Sequence, residues 1–336
     1  MNQKLGTFRK DSRTLKQETD CHRRSFGKIG IFLGGTSRER PISLRSGKAV
    51  FQALQEADFD VILIDTAESF LPLLKRRAID TAFIALHGSG GEDGTLQKLL
   101  DRFRIPYVGS SANASLRAFD KARAKKFFLR SGIPTAPFQM VTRGNWKKAV
   151  KVWEPPYVIK PTREGSSIGI FFVENKKQAP QKVEAGLKRY PSLLFEKKIE
   201  GREFTIGILG DEALPVIELK TKRAFYDYTA KYTKGLTEYL IPAPIPAEWT
   251  QRLQTIALKA HRALKLRDLS RVDFMMTQTG EPYVLEINSI PGFTETSLLP
   301  KAARSIGIDF TELCTRLLEI ACARRQQARE KVGECV

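Results

Sequence analysis

Cysteine and histidine are scarce in this sequence, which has four cysteines and three histidines among its 336 residues. The cysteines show no paired spacing, so neither a disulfide framework nor a zinc finger is indicated. Cys314 falls on the apolar face of a predicted helix, where we expect a small buried thiol. No apolar run approaches the ~18 residues that a membrane-spanning helix requires, and the first 25 residues lack the apolar stretch of a signal peptide. We therefore expect a cytoplasmic protein with no membrane partner.

Acidic residues are too few to balance the basic ones, since 37 Asp and Glu stand against 56 Lys and Arg and give a net charge of +19. A basic nucleic-acid-binding protein is therefore one hypothesis. Residues 1–26 hold seven Lys/Arg and three Asp/Glu, and the remaining excess is scattered. No RNA-recognition signature and no basic stripe with interleaved aromatic residues is present. We predict a solvated basic surface and no nucleic-acid partner, which is compatible with a basic cleft that attracts an anionic nucleotide.

The order of predicted elements indicates three folded parts, as the length and the 42% hydrophobic content allow. Residues 1–26 are polar and aperiodic and are predicted to form a disordered basic extension. Residues 27–112 alternate strands with helices, which predicts an α/β domain with an open parallel sheet. Its predicted buried strands are Lys28–Gly34, Val61–Ile64, Ala82–Leu86 and Pro106–Val108.

The pattern changes after residue 112. Residues 113–196 contain a helix with Gly132 as its C-terminal cap, then predicted strands at Pro155–Pro161 and Ile168–Val173 around a polar hairpin loop. Residues 197–325 contain further strands, a helix whose His261 we interpret as structural, and a last helix opened by the capping box Asp309–Glu312. Residues 326–336 are a tail. These two parts predict an α+β architecture.

Two short strands near the end of the chain carry the strongest chemical signal. Residues 271–276 and 283–288 are short strand-like segments that flank a turn at residues 277–280, which predicts a hairpin. Residues two apart share a face of a strand, so Asp273, Glu286 and Asn288 should surround one point, with Arg271 beside it. Such an oxygen set suits Mg²⁺, which usually carries nucleotide phosphates. A surface hairpin with solvated acids is the alternative, but the strand containing Glu286 is otherwise apolar.

Three loops add weaker signals, and each has an ordinary structural interpretation when taken alone. Residues 34–37 follow the first strand without the Gly-x-Gly-x-x-Gly spacing, and Glu39 at the following helix could be a capping acid. His87 opens a glycine-rich loop after another strand. Residues 164–167, with Lys160 before them, do not form a Walker loop but could cover phosphates as a hairpin.

In chain order, however, these segments form a specific series. They read Gly-Gly-Thr-Ser-x-Glu-Arg (34–40), Ala-Leu-His-Gly-x-Gly-Gly-Glu-Asp-Gly-Thr-Leu-Gln (85–97), Lys-Pro-Thr-Arg-Glu-Gly-Ser-Ser-x-Gly (160–169), Phe-Tyr-Asp-Tyr-x-Ala-Lys-Tyr (225–232), Arg-Val-Asp-Phe (271–274) and Glu-Ile-Asn-Ser-Ile-Pro-Gly-Phe-Thr (286–294). From about residue 28 to 322 the chain closely resembles the D-alanine–D-alanine ligases of the ATP-grasp superfamily. The resemblance implies a parallel α/β domain followed by a two-domain ATP-grasp fold.

The resemblance also implies an activity. ATP phosphorylates the carboxylate of one D-alanine, the amine of a second attacks the acyl phosphate, and the dipeptide serves peptidoglycan synthesis. It implies ATP and two Mg²⁺ ions, which Mn²⁺ could replace, and a homodimer. Metal ligands would be Asp273, Glu286, which could bridge two ions, and Asn288. ATP contacts would come from Lys121 and Lys160 on phosphate, Glu196 and Glu203 on adenine and ribose, and also Ser167 and Lys231.

Further residues match substrate positions of the family. Glu39 matches the acid that anchors the first amino group, and Ser166 and Tyr232 match a network with it. The remaining matches are His87 as a substrate-side hydrogen bonder, Arg271 and the Gly292 amide for the oxyanion, and Ser297 and Leu298 for the second carboxylate. Relatives commonly have Glu where Thr229 stands, which puts in doubt the ordering of residues 225–239, predicted to be a mobile loop.

Three alternatives remain open from the sequence. A ligase of the same family that accepts D-lactate or D-serine as second substrate would share these motifs, and Tyr232 resembles the dipeptide-forming members. An inactive relative that only binds nucleotide would keep part of them. A nucleic-acid-binding protein would be favoured by salt-dependent retention on DNA without ATPase activity.

Overall fold

The structure is a computed structural model that describes residues 26–221 and 236–333, with side chains described as far as Arg324. Three sheets, each with its helices, follow one another along the chain. Within the described ranges, no helix has the length and apolar character needed to cross a bilayer.

The first sheet is parallel, as predicted, with the strand order β2-β1-β3-β4. Its strands are β1 (Ile29–Leu33), β2 (Val61–Asp65), β3 (Thr81–Ile84) and β4 (Tyr107–Val108), and its helices are α1 (Arg40–Glu56), α2 (Leu71–Lys75) and α3 (Thr95–Phe103). Val61–Ile64 form a strand as predicted, but the prediction that this strand is buried was wrong: β2 lies at the sheet edge, and Leu63 is 41% exposed. Phe26, assigned above to the disordered extension, is buried and packs against Phe59.

The second sheet is antiparallel, with the strand order β5-β8-β6-β7. It comprises β5 (Phe138–Thr142), β6 (Tyr157–Pro161), β7 (Phe171–Val173) and β8 (Ser192–Lys197), with helices α6 (Trp146–Val152) and α7 (Ala179–Arg189) in its core. The preceding helices α4 (Ala112–Phe119) and α5 (Lys121–Arg130) pack instead in the core of the third sheet. The strand predicted at Ile168–Val173 begins only at Phe171. The loop before it is longer than predicted because Ser166, Ser167 and Gly169 all have positive φ, which extended strands do not permit.

The third sheet is built around the predicted hairpin. Its strands are β9 (Arg202–Leu209), β10 (Glu212–Ala213), β11 (Ile217–Thr221), β12 (Thr237–Leu240), β13 (Leu269–Met276) and β14 (Pro282–Asn288), with helices α8 (Ala247–Ala263), α9 (Leu298–Arg304) and α10 (Phe310–Gly333). Strand order is β12-β11-β9-β13-β14, with β10 beside β9. Residues 237–239, placed above in a loop, belong to β12, which pairs with β11. The rest of that predicted loop, residues 225–235, lies outside the described residues.

The first and third parts share one hydrophobic core, which fixes the sheets around the site. Ile29 and Phe83 of the first sheet pack in one buried cluster with Leu299 of α9 and Leu317 of α10. The Glu312 N–H donates to Asp309, as the predicted capping box requires at the start of α10. Cys314 is fully buried in this core, as expected, and burial raises the pKa of its thiol.

Candidate active site

The hairpin of β13 and β14 has the predicted pairing. Asp273 lies opposite Glu286 and Arg271 opposite Asn288 in an antiparallel ladder. The register shifts directly after Asp273, which indicates a β-bulge at this point. Bulges commonly re-aim side chains beside functional sites. The four polar side chains therefore converge on one face of the hairpin.

Asp273 is held by three neighbours. Arg271 donates to it through Nε at 2.9 Å and Nη2 at 2.8 Å, in a two-point fork. The Thr205 hydroxyl on β9 donates to it at 2.6 Å, and Asn288 Nδ2 donates at 3.1 Å. Because the carboxylate charge is balanced by Arg271 and its oxygens are oriented by three donors, Asp273 is fixed in direction. Thr205 was not among the predicted residues.

Glu286 is paired with Lys121, the first residue of α5. The Lys121 ammonium lies 3.1 Å from Glu286 Oε2 and also donates to the Glu164 carbonyl. Burial lowers the pKa of Lys121, but Glu286, with smaller contributions from Glu92 and Glu39, more than offsets this, so the pKa lies above its ordinary value. Asp120 caps α5 by accepting from the Arg123 N–H at 3.1 Å. The cap and the ion pair together place a positive charge beside the hairpin.

Two cavities lie on either side of Glu286, which lines both. The smaller one has a volume of about 420 Å³, and the predicted residues that line it are Glu39, His87, Ser166, Arg271, Asn288, Gly292, Ser297 and Leu298. The larger one has a volume of about 780 Å³, and the predicted residues that line it are Lys160, Ser167, Glu196, Glu203 and Asp273. The structure thus separates the predicted substrate residues from the predicted ATP residues, with the hairpin between them.

Glu39 occupies the smaller cavity at the entrance of α1. It is buried and accepts a short hydrogen bond from the Ser166 hydroxyl. Gly165 comes so close that a Cβ added there would lie 2.6 Å from Glu39 Oε2. Ser166, with φ of 50°, bends the loop after β6 over the carboxylate. The sequence 164–167 therefore reaches Glu39 as a loop, and the residue before Ser166 has to be small.

His87 is bound to the loop that contains Gly292. Ser46 Oγ accepts from the Phe293 N–H at 3.1 Å and lies 3.0 Å from His87 Nε2. His87 Nδ1 lies 3.2 Å from the Ile290 carbonyl, which can only accept, so in the neutral ring Nδ1 carries the proton and Nε2 accepts from the Ser46 hydroxyl. Sequence reasoning missed Ser46, which lies on α1 with no motif to mark it.

Ser297 and Leu298 stand at the start of α9, beside the same loop. The Ser297 hydroxyl accepts from the Thr294 N–H at 3.1 Å and lies 2.9 Å from the Thr294 hydroxyl. These bonds hold the beginning of the helix against residues 292–296. Ser297 and Leu298 both line the smaller cavity, so the start of this short helix faces it.

Glu196 in the larger cavity is joined to two lysines. Lys160 Nζ lies 2.8 Å and Lys125 Nζ 3.1 Å from the same oxygen, Oε2. Lys125 was not predicted, although its position four residues after Lys121 on α5 puts both on one helix face. Tyr232, Lys231 and Thr229 lie outside the described residues.

The donor set of the hairpin suits a hard cation. Asp273, Glu286 and Asn288 offer two carboxylates and one amide oxygen: Glu286 lines both cavities, Asp273 the larger and Asn288 the smaller. Among the described residues no cysteine lines either cavity, and the one histidine there, His87, is engaged by Ser46 and the Ile290 carbonyl. The residues therefore fit Mg²⁺ better than zinc.

Comparisons with known proteins show which family the chain is similar to. Sequence profiles described as "D-ala D-ala ligase N-terminus" and "D-ala D-ala ligase C-terminus" match residues 67–110 and 127–319. A D-alanine–D-alanine ligase of Methylacidiphilum infernorum is 47% identical over 298 residues, which are 88% of this chain and 96% of that protein.

Solved structures give the same result. The D-alanine–D-alanine ligase of Bacillus anthracis superposes with a TM-score of 0.80 at 34% identity, covering 90% of this chain and 99% of that one. The VanG D-Ala:D-Ser ligase of Enterococcus faecalis superposes with a TM-score of 0.76 at 32% identity, covering 88% and 99%. The fold is thus an N-terminal parallel α/β part followed by an ATP-grasp fold. The chain belongs to the D-alanine–D-alanine ligase family.

Proposed function

We propose that this chain joins two D-alanines into D-alanyl-D-alanine at the expense of ATP, through an acyl phosphate, for peptidoglycan synthesis. The observation that carries the proposal is the pair of cavities that share Glu286: one is small and polar, and the other is large enough for a nucleotide. A phosphoryl donor and its acceptor must meet in line. Two cavities that are both lined by Glu286 suit that requirement.

ATP would occupy the larger cavity. Its B. anthracis relative, 31% identical with a TM-score of 0.79, has been solved with ATP. Lys160 and Lys121 would contact the phosphates, Glu196 and Glu203 the adenosine, and Ser167 the loop side of the triphosphate. The positions of Lys160, Ser167, Glu196 and Glu203 on the cavity wall support these roles. Lys121 forms an ion pair with Glu286 of the hairpin, and this contact supports a role for its ammonium beside the γ-phosphate.

Asp273, Glu286 and Asn288 would hold Mg²⁺, two ions if Glu286 bridges them. When bound, the metal neutralises the charge that develops on the transferring phosphoryl group. Mn²⁺ shares the preference for oxygen ligands and could replace it. The converging oxygens on one hairpin face support the assignment.

The first D-alanine would lie in the smaller cavity with its ammonium against Glu39. Its carboxylate oxygen attacks the γ-phosphorus of ATP, the bond from that phosphorus to the bridging oxygen breaks, and ADP leaves. Arg271 and the Gly292 amide, both on the cavity wall, would stabilise charge on the carboxyl oxygen. His87, held by Ser46 and the Ile290 carbonyl, would position this side of the substrate.

The second D-alanine would bind with its carboxylate at Ser297 and Leu298, the start of α9. Its amine attacks the acyl carbon, loses a proton, and expels inorganic phosphate as the peptide bond forms. Exclusion of water matters here because water would hydrolyse the acyl phosphate. The Ser166–Glu39 hydrogen bond, which brings the loop after β6 over the first subsite, supports such closure, and Tyr232 is proposed as its third member.

A D-alanine–D-serine ligase is the second candidate, because VanG is similar over 88% of this chain. A D-alanine–D-lactate ligase would use the same first half-reaction. The test is the release of ADP with D-alanine alone, D-alanine plus D-serine, D-alanine plus D-lactate, and L-alanine, with the products identified by mass spectrometry. We expect D-alanyl-D-alanine as the main product and no turnover of L-alanine. A mixed product formed in preference to the dipeptide would favour the second candidate.

We also propose a cytoplasmic location, because the nucleotide and the free amino acids are cytoplasmic substrates. The resemblance to the family is the reason for proposing a homodimer. Light scattering after gel filtration would give the mass of the particle, and a single-chain mass would contradict the dimer.

A further inference from the structure

Lys125 is a buried cation that contacts neither of the two cavities. It has no exposed surface and does not line the cavity walls, whereas Lys160, which shares the carboxylate with it, lines the larger one. Its ammonium donates to the Thr135 hydroxyl and the Val284 carbonyl and pairs with Glu196. A lysine in such a position does not touch a ligand directly, so its charge has to act through its partners.

The partner that matters is Glu196, whose Oε2 serves two lysines at once. Lys160 reaches this oxygen from the cavity side at 2.8 Å, and Lys125 reaches it from the protein interior at 3.1 Å. Two cations and one carboxylate leave a net positive charge in a group of residues that is almost completely removed from water. Burying such an excess is unfavourable unless an anion joins the group.

We propose that Lys125 is a positioning residue that keeps Glu196 neutralised, so that Lys160 can leave this carboxylate for the triphosphate of ATP. The inference rests on the ATP site proposed above. With Lys125 present, departure of Lys160 leaves a balanced Lys125–Glu196 pair. Without Lys125, the same movement would strand a buried carboxylate with no counter-ion, and Lys160 would remain bound to Glu196.

Lys125→Met tests this with little change of shape. Methionine is apolar and of similar length, Thr135 still donates to the Val284 carbonyl at 2.7 Å, and Glu196 keeps Lys160, so no buried group loses its last partner. We expect the Kd for ATP to rise at least tenfold, about 1.4 kcal/mol. The adjacent Lys126 is exposed, and Lys126→Met serves as the matched control with an unchanged Kd.

A double-mutant cycle separates this role from a merely structural one. In a Glu196→Gln background Lys160 is no longer held by a carboxylate, so adding Lys125→Met should change the Kd less than twofold. An equal loss of affinity in both backgrounds would overturn the proposal, as would a folded Lys125→Met protein with the Kd of the original chain. If the original chain itself neither binds nor consumes ATP, the proposed function fails instead.

The pH dependence of ATP binding to the original chain gives a second test. Burial lowers the pKa of Lys125 to about 8, against the opposing effect of Glu196, while Lys160 adds to the lowering and Glu286 opposes it. Raising the pH from 7 to 9.5 should therefore remove the Lys125 charge and raise the Kd for ATP. The Lys125→Met protein should lack this dependence. A Kd for the original chain that stays constant over this range would contradict the proposal.

Discussion

Arg271→Lys is the substitution that most sharply separates the chemistry of the site from nucleotide binding. Arg271 donates two hydrogen bonds to Asp273, at 2.9 and 2.8 Å, and both side chains are only 12–14% exposed. A lysine keeps the charge but cannot reproduce the planar fork or point a second donor into the smaller cavity. Arg271 lines that cavity, where the oxyanion of the proposed reaction would develop.

The expected loss follows from these contacts. Removing one donor to an oxyanion typically lowers kcat by about 10²–10³, or ~2.7–4 kcal/mol of barrier. ATP affinity should change little, because Arg271 does not line the larger cavity. The assay measures D-alanine-dependent phosphate release for kcat and calorimetry for the Kd of ATP.

Arg252→Lys is the matched control. Arg252 on α8 makes a comparable contact with Glu281 at 2.9 Å, but both side chains are about half exposed and neither lines either cavity. Neither kcat nor Kd should change. A folded Arg271→Lys protein with kcat within threefold of the original would refute the reasoning, and a collapse of ATP affinity with kcat intact would make Arg271 a nucleotide ligand.

Three further predictions concern other parts of the chain. Glu286→Gln removes the charge of the carboxylate that lines both cavities. It should lower turnover at least about a hundredfold without unfolding the protein, as measured by phosphate release and a thermal melt. Near-normal turnover would contradict the metal assignment. Gly165→Ala places a Cβ 2.6 Å from Glu39 Oε2, so the KM for D-alanine should rise about tenfold while the Kd for ATP stays unchanged. An unchanged KM would contradict the proposal that Glu39 binds D-alanine. Burial lowers the pKa of His261 to about 4, so below about pH 6.5 the unfolded chain binds more protons than the folded one. Stability should thus fall by about 1.4 kcal/mol per pH unit between pH 6.5 and 4, and urea melts of a His261→Gln protein should lack this component.

Local patterns predicted the hairpin and the ends of two helices. The turn sets a register in which Phe274 lies opposite Val284, and this register alone would place Leu285 opposite Asp273. The bulge after Asp273 brings Glu286 there instead, and no local pattern in the sequence indicated that bulge. Gly132 ends its helix with a φ of 60°, as its position after Arg130 indicated. His261, predicted to be structural, is buried with Nδ1 at 2.7 Å from the Ser270 hydroxyl.

Contacts between distant parts of the chain were not predictable in the same way. Ser46 is 41 residues from His87 and 247 residues from Phe293, and no local pattern records either contact. Thr205 reaches Asp273 across a strand pairing whose register depends on the whole sheet. The exposure of β2 was missed because an apolar strand at an edge and one in the centre have the same local composition.

The most direct test of the central claim follows the oxygen that the acyl phosphate must transfer. D-Alanine labelled with heavy oxygen in both carboxylate positions is supplied with ATP, and the released inorganic phosphate is analysed by mass spectrometry. The account predicts one heavy oxygen in each phosphate formed, because the carboxylate oxygen that attacks ATP leaves with the phosphoryl group when the second D-alanine attacks the carbon. Dipeptide formation accompanied by unlabelled phosphate would contradict it.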